Sequence, residues 1–180
     1  MIYKGFFDVL FTERKPYVCA PQVPPQGPAA VQRAPYDYRS DPAVPRFADD
    51  RPIIIFDGDC VFCSASVRFI LWADTHRRFR LMTARSVTGA ALYRHFGRDA
   101  INYETNILLA DGEAWFESSA SIRIFEILGF PWSLMRIFWL VPGSLRNRLY
   151  RLVARNRSRW FGVRDACFLP DPTQMDRFLG

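Results

Sequence analysis

The sequence predicts an α/β fold: a mixed β-sheet with helices on both faces, a helical extension behind it and an extended arm in front. Three features carry that prediction. Ile53-Ile54-Ile55-Phe56 is a continuous run of β-formers, as expected of a strand buried on both sides. Soon after it, Cys63, Val67, Ile70 and Leu71 fall at i, i+4, i+7 and i+8, the spacing of one helical face. Farther on, Asp111-Gly112 joins two β-rich runs, the dipeptide that favours a type I′ hairpin turn.

Taken in order, the elements begin with a segment that builds no core. Residues 1–51 hold eight of the 13 prolines and show no apolar periodicity, so they read as an extended, polyproline-like arm. Its tip, MIYKGFFDVLF, is apolar enough to anchor on a partner. The strand Ile53–Phe56 then leads into a helix from about Cys60 to Thr75. Phe79–Thr83 is a second strand, and Thr88–Phe96 a second helix stopped by Gly97. The hairpin occupies 106–117. A helix follows from Ser118 to Leu128, ended by Gly129 and Pro131. Two further amphipathic stretches, Trp132–Val141 and Ser144–Trp160, are separated by Pro142-Gly143. In the second, Leu145, Leu149, Leu152 and Val153 share one face and the arginines mostly occupy the other. The order β-α-β-α-β-β-α is the layout of the thioredoxin fold. The expected division is a proline-rich arm over 1–51 and a thioredoxin-like domain over 52–180.

With 180 residues, nearly half of them apolar, the chain can fill one ordinary core. Its formal charge is +6, and of 24 basic residues only Lys4 and Lys15 are lysines. Arginine makes bidentate contacts to carboxylate and phosphate and stays charged when partly buried, which favours acidic partners; composition bias is the simpler source. Four cysteines are too few for a disulfide-stapled secreted scaffold, and no secretory leader is visible. The most apolar stretch, 130–141, is too short to span a bilayer and carries Arg136. These features point to a soluble protein of a reducing intracellular compartment, with a mitochondrion or another organelle as the alternative.

The chemistry concentrates in FDGDCVFC, residues 56–63. Three readings compete. A Cys-x-x-Cys at a strand–helix junction suits dithiol exchange, because free N–H groups and the helix dipole favour a thiolate there. Cys63 falls on the buried stripe with Val67, whereas Cys60 lies in the first turn. Cys60 would then attack, Cys63 resolve, and Asp59 serve as the helix N-cap. Against strong activation, Asp57 and Asp59 place negative charge beside Cys60, and Arg68 is two turns away. Zinc is the second reading, but a structural site needs four ligands and only Cys19, Cys167, His76 and His95 remain, all solitary. The third is a phosphoryl-transfer Asp-x-Asp, resembling the opening motif of haloacid-dehalogenase-like phosphatases. Such chemistry needs a later lysine and an acidic pair for magnesium; both lysines precede the motif and no adjacent acidic pair follows it.

The stretch FDGDCVFCSASVRFI resembles the signature of the DCC family of thiol-disulfide oxidoreductases, named for the residues that stand here as Asp57, Cys60 and Cys63. YRLVARNRSRWFG (150–162) resembles the family's Tyr…Ala-Arg-Asn-Arg stretch, and CFLPDPTQMDRFL (167–179) its Cys-x-x-Pro-x-Pro tail. The resemblance covers about residues 52–179. It implies a thioredoxin-like fold, dithiol–disulfide exchange and Asp57, Cys60 and Cys63 as the site, but no substrate; protein disulfides are the expected substrate, and no cofactor or metal is expected. One departure from ordinary thioredoxins is the lack of any proline in 97–110, where those proteins carry a cis-proline that docks substrate.

Between Arg136 and Arg164 the sequence has eight arginines and no acid. The run suits a phosphate-rich partner, an anionic membrane surface or an acidic protein groove. No recognisable RNA or DNA motif accompanies it. Because Ala154-Arg155-Asn156-Arg157 belongs to the family block, part of the run serves the fold, by capping the sheet or pairing with Asp57 or Asp59. His76 and His95 read as surface residues closing their helices. Cys167 is either a third redox thiol or a small buried apolar residue, and Cys19 is incidental. The alternative to an oxidoreductase is a non-catalytic accessory subunit of a larger, mitochondrial-type complex. It would bind protein partners through residues 1–51 and the arginine-rich 136–164 region.

Overall fold

Ile53–Phe56 forms β1, and all four residues are buried. A computed structural model describes residues 34–58, 61–98, 105–162 and 172–179. Helix α1 (Val61–Ala73) leads to β2 (Arg80–Thr83), α2 (Val87–His95), the hairpin strands β3 (Ile107–Ala110) and β4 (Glu113–Phe116), and α3 (Glu117–Leu128). A 3-10 helix (Trp132–Leu140), α4 (Gly143–Phe161) and a two-residue strand β5 (Phe178–Leu179) complete the chain. The sheet order is β4-β3-β1-β2-β5. β1 runs parallel to β2 and antiparallel to β3, so the sheet is mixed and thioredoxin-like, as the element order predicts.

The side-chain alternation of β1 explains its unbroken apolar run. Ile53 and Ile55 enter one layer with Met82, Leu92 and Ile107. Ile54 and Phe56 enter the other with Val67, Ile70, Leu81 and Ile124. Helices α1 and α3 cover the second layer. In the hairpin, Asp111 and Gly112 both adopt positive φ, 53° and 78°, as a type I′ turn requires.

The first layer corrects the expectation for residues 34–51. Among the described residues the nine-residue α2 covers part of that face, and the N-terminal segment supplies more. Tyr38 and Val44 are buried in the layer, with Phe47 packed against it. The Tyr38 hydroxyl donates to Asp49 Oδ2 at 2.9 Å. The Tyr36 N–H donates to the Gly112 carbonyl at 2.8 Å, and the Tyr36 ring fills the space that a Cβ on Gly112 would occupy. This part of the expected arm is therefore core cover; residues 1–33 lie outside the described residues.

His95 is a second correction. It is buried, with Nδ1 2.6 Å from Asp41 Oδ2 and Nε2 3.0 Å from Asp37 Oδ1. The partners sit in and just after a 3-10 turn (Asp37–Ser40) far upstream, so the ring ties the segment to α2. His76 is exposed, as expected. The sequence pattern predicts no strand at β5. The strand pairs with β2, and the buried Arg177 beside it donates to the Phe79 carbonyl at 3.1 Å and pairs with the buried Asp74.

Candidate active site at the end of the first strand

Asp57 follows directly on β1, where the chain leaves the sheet, and it is only 9% exposed. Ser64 is buried and its hydroxyl donates to the Gly58 carbonyl at 3.3 Å, tying the first turn of α1 to the end of β1. Cys63, on that same turn, is 2% exposed, in agreement with the predicted stripe. Asp59, Cys60 and Cys167 lie outside the described residues, as does Cys19.

The counter-charge comes from far along the chain. Arg157, on α4, is 7% exposed. Its Nη2 donates to Asp57 Oδ2 at 3.0 Å and its Nη1 to Cys63 Sγ at 3.1 Å. One guanidinium thus spans the carboxylate and the sulfur. The arginine offsets the charge of Asp57, one of the two acids expected to oppose a thiolate, and donates directly to the Cys63 sulfur. The family block had suggested an arginine pairing with Asp57 or Asp59, and Arg157 is the one that does so.

Two tyrosines also border the described part of the site, and neither is among the site residues the sequence predicts. The Tyr93 hydroxyl donates to the Thr105 carbonyl. Burial drives its pKa well above the ordinary tyrosine value, and the charge of neighbouring Tyr150, Cys63 and Asp57 adds to the rise. Tyr150 accepts from the Asn106 N–H at 3.2 Å and is pushed up to about 12, chiefly by burial. Both hydroxyls therefore stay protonated in the physiological range. Tyr150 opens the same family block that contains Arg157, so its signal was present. Tyr93 had no signal beyond a place on an apolar helix. At the surface beside Cys63, Phe62 and Phe161 pack with ring centroids 5.0 Å apart, both partly exposed.

The polar side of α4 holds this arrangement. The Ser118 hydroxyl donates to Asn147 Oδ1, and Arg151 pairs with Glu117 at 3.4 Å. The face that carries Leu145, Leu149 and Leu152 is turned to solvent. Trp132–Leu140, expected as an amphipathic stretch, is a 3-10 helix with no buried residue, lying on α3. No helix among the described residues is long and apolar enough to cross a membrane.

A thioredoxin-like sheet that presents a buried cysteine, carboxylate and guanidinium where β1 meets α1 places the chain in the thioredoxin-like class. More narrowly, it belongs to the DCC1-like thiol-disulfide oxidoreductase family, whose model matches residues 54–163. The uncharacterized protein YuxK of Bacillus subtilis is 33% identical over 127 residues, covering 71% of this chain and 93% of the relative. A DCC family protein of Arabidopsis thaliana, described as chloroplastic, is 31% identical over 122 residues, covering 67% of this chain and 71% of the relative. No solved structure matches the chain.

Proposed function

We propose that the chain exchanges a Cys60–Cys63 dithiol with protein disulfides. The observation that supports this best is the Arg157 guanidinium within 3.1 Å of Cys63 Sγ. In the forward direction the Cys60 thiolate attacks a substrate disulfide, forming a mixed disulfide and releasing one substrate thiolate. The Cys63 thiolate then attacks the Cys60 sulfur, closing the Cys60–Cys63 bond and releasing the second substrate thiol. Two electrons pass to the substrate, and a dithiol reductant returns them. Arg157 favours the anionic form of Cys63 that the second step needs, and Asp57 fixes the orientation of Arg157.

The phosphoryl-transfer reading loses ground, because Asp57 is buried against Arg157 rather than open to a phosphate. The division between arm and domain falls before residue 34 in this account, leaving 1–33 as the arm. An organelle is the compartment that the chloroplastic relative favours.

The test is a defined reduction potential for the Cys60–Cys63 pair together with insulin-disulfide reduction by the purified chain. Both are expected in the native protein, and reduction of insulin should vanish in Cys60→Ser and in Cys63→Ser. Unchanged activity in Cys60→Ser would sink the assignment.

A further inference from the structure

An amphipathic helix on a folded domain normally turns its apolar stripe inward. Helix α4 does the opposite. Leu145, Leu149 and Leu152, at i, i+4 and i+7, are 49%, 55% and 54% exposed. Its inward side instead carries Asn147, Tyr150 and Arg157, each hydrogen-bonded to the domain. The preceding 3-10 helix shows the same exposure. Leu134, Ile137 and Leu140 recur at every third residue, which stacks side chains on one edge of a three-residue turn, and they are 62%, 62% and 83% exposed. Single exposed apolar residues need no explanation, but two consecutive stripes mark a contact surface.

The two segments themselves carry charge of one sign. Arg148, Arg155 and Arg159 are exposed and share the outward half of α4 with the leucines. The segment from Arg136 to Arg164 contains no acid. Arg151, by contrast, is engaged by Glu117. Trp160 and Phe161, at the end of the helix, are also half-exposed.

We propose that the outward face of α4, with the 3-10 helix before it, docks on an anionic lipid bilayer. Leucines interleaved with arginines suit the boundary between headgroups and acyl chains. The aliphatic side chains enter the apolar layer, while each guanidinium reaches back along its stem to a headgroup phosphate. The exposed Arg148, Arg155 and Arg159 complement an anionic surface. Trp139, Trp160 and Phe161, exposed beside the leucines and isoleucines, suit the same boundary, where aromatic rings sit at headgroup level next to basic side chains. The attachment is peripheral, in the plane of the headgroups, and independent of the thiol assignment.

The experiment is flotation of the full chain with vesicles of phosphatidylcholine containing about 30% phosphatidylglycerol, against phosphatidylcholine alone. The chain should float with the anionic vesicles, bind the neutral ones far less, and be released as salt rises. The Leu149→Glu/Leu152→Glu pair should lower partitioning roughly tenfold or more. The Arg148→Glu/Arg155→Glu pair should erase the preference for anionic lipid. All four residues face solvent, so melting curves should be unchanged, and the arginine pair and the salt series stand even if the leucine pair misfolds. Failure of the native chain to float with anionic vesicles overturns the proposal. So does undiminished binding by the folded leucine pair, which would put the attachment elsewhere in the chain. A self-associated form that the leucine pair dissociates, without vesicle binding, would assign the face to a second copy and also overturn it.

Discussion

Helices α1 and α4 meet at Asp57 and Cys63, and they are oriented by different forces. α1 buries Val67 and Ile70 beneath the sheet and turns Trp72 outward. α4 leaves three leucines about half in solvent and buries an arginine. Hiding the exposed half of each leucine would return about 1 kcal/mol, or roughly 3 kcal/mol for the stripe. Turning α4 to do so would withdraw Arg157 from the buried Asp57 carboxylate, at a cost of about 3–5 kcal/mol. The ion pair wins by a modest margin, and the contacts of Asn147 and Tyr150 add to it. Apolar burial sets one helix of the site, and charge satisfaction sets the other.

Breaking each side of this contrast should give effects of different size. The largest is expected for Arg157→Ala, about 3–5 kcal/mol lost in urea unfolding, because the carboxylate stays behind. Ile70→Ala on α1 should cost about 2–4 kcal/mol through the cavity it leaves. Tyr150 sharpens the contrast through pH. Its folded-state value of about 12 lies above the usual 10, so its contribution is fully present below pH 10 and is lost as pH rises from 10 to 12. In Tyr150→Phe the fall in stability across that window should be shallower, as measured by denaturation midpoints at stepped pH. The smallest effect belongs to the outward stripe: Leu149→Gln should change unfolding free energy by no more than about 0.5 kcal/mol. A loss as large as that of Ile70→Ala would show that the stripe is packed in solution.

What the sequence made legible follows the same division. β1, the Cys63–Val67–Ile70 stripe and the Asp111-Gly112 turn rest on local periodicity and turn chemistry, and the structure has them all. The orientation of α4 was not legible from its own pattern, because the group that decides it, Asp57, is 100 residues away. His95 was read as a surface residue for a similar reason: Asp41 and Asp37 lie 54 and 58 residues upstream. Residues 34–51 give no periodic signal because Tyr38, Val44 and Phe47 cover the sheet face individually, as side chains of an irregular segment. Their burial follows from a gap beside a short α2, which only the assembled sheet reveals. Arg157 was half legible, through a family block and a site short of positive charge.

Arg157 acts on the Cys63 sulfur as well as on the fold. That action is tested most directly by titrating Cys63 through ultraviolet thiolate absorbance, in a chain whose Cys19, Cys60 and Cys167 are serine. Replacing Arg157→Gln in that background should raise the titration midpoint, and Arg157→Lys should restore most of the difference, with folding of each variant checked by near-ultraviolet circular dichroism. An identical midpoint with and without the guanidinium, in folded protein, would contradict the account.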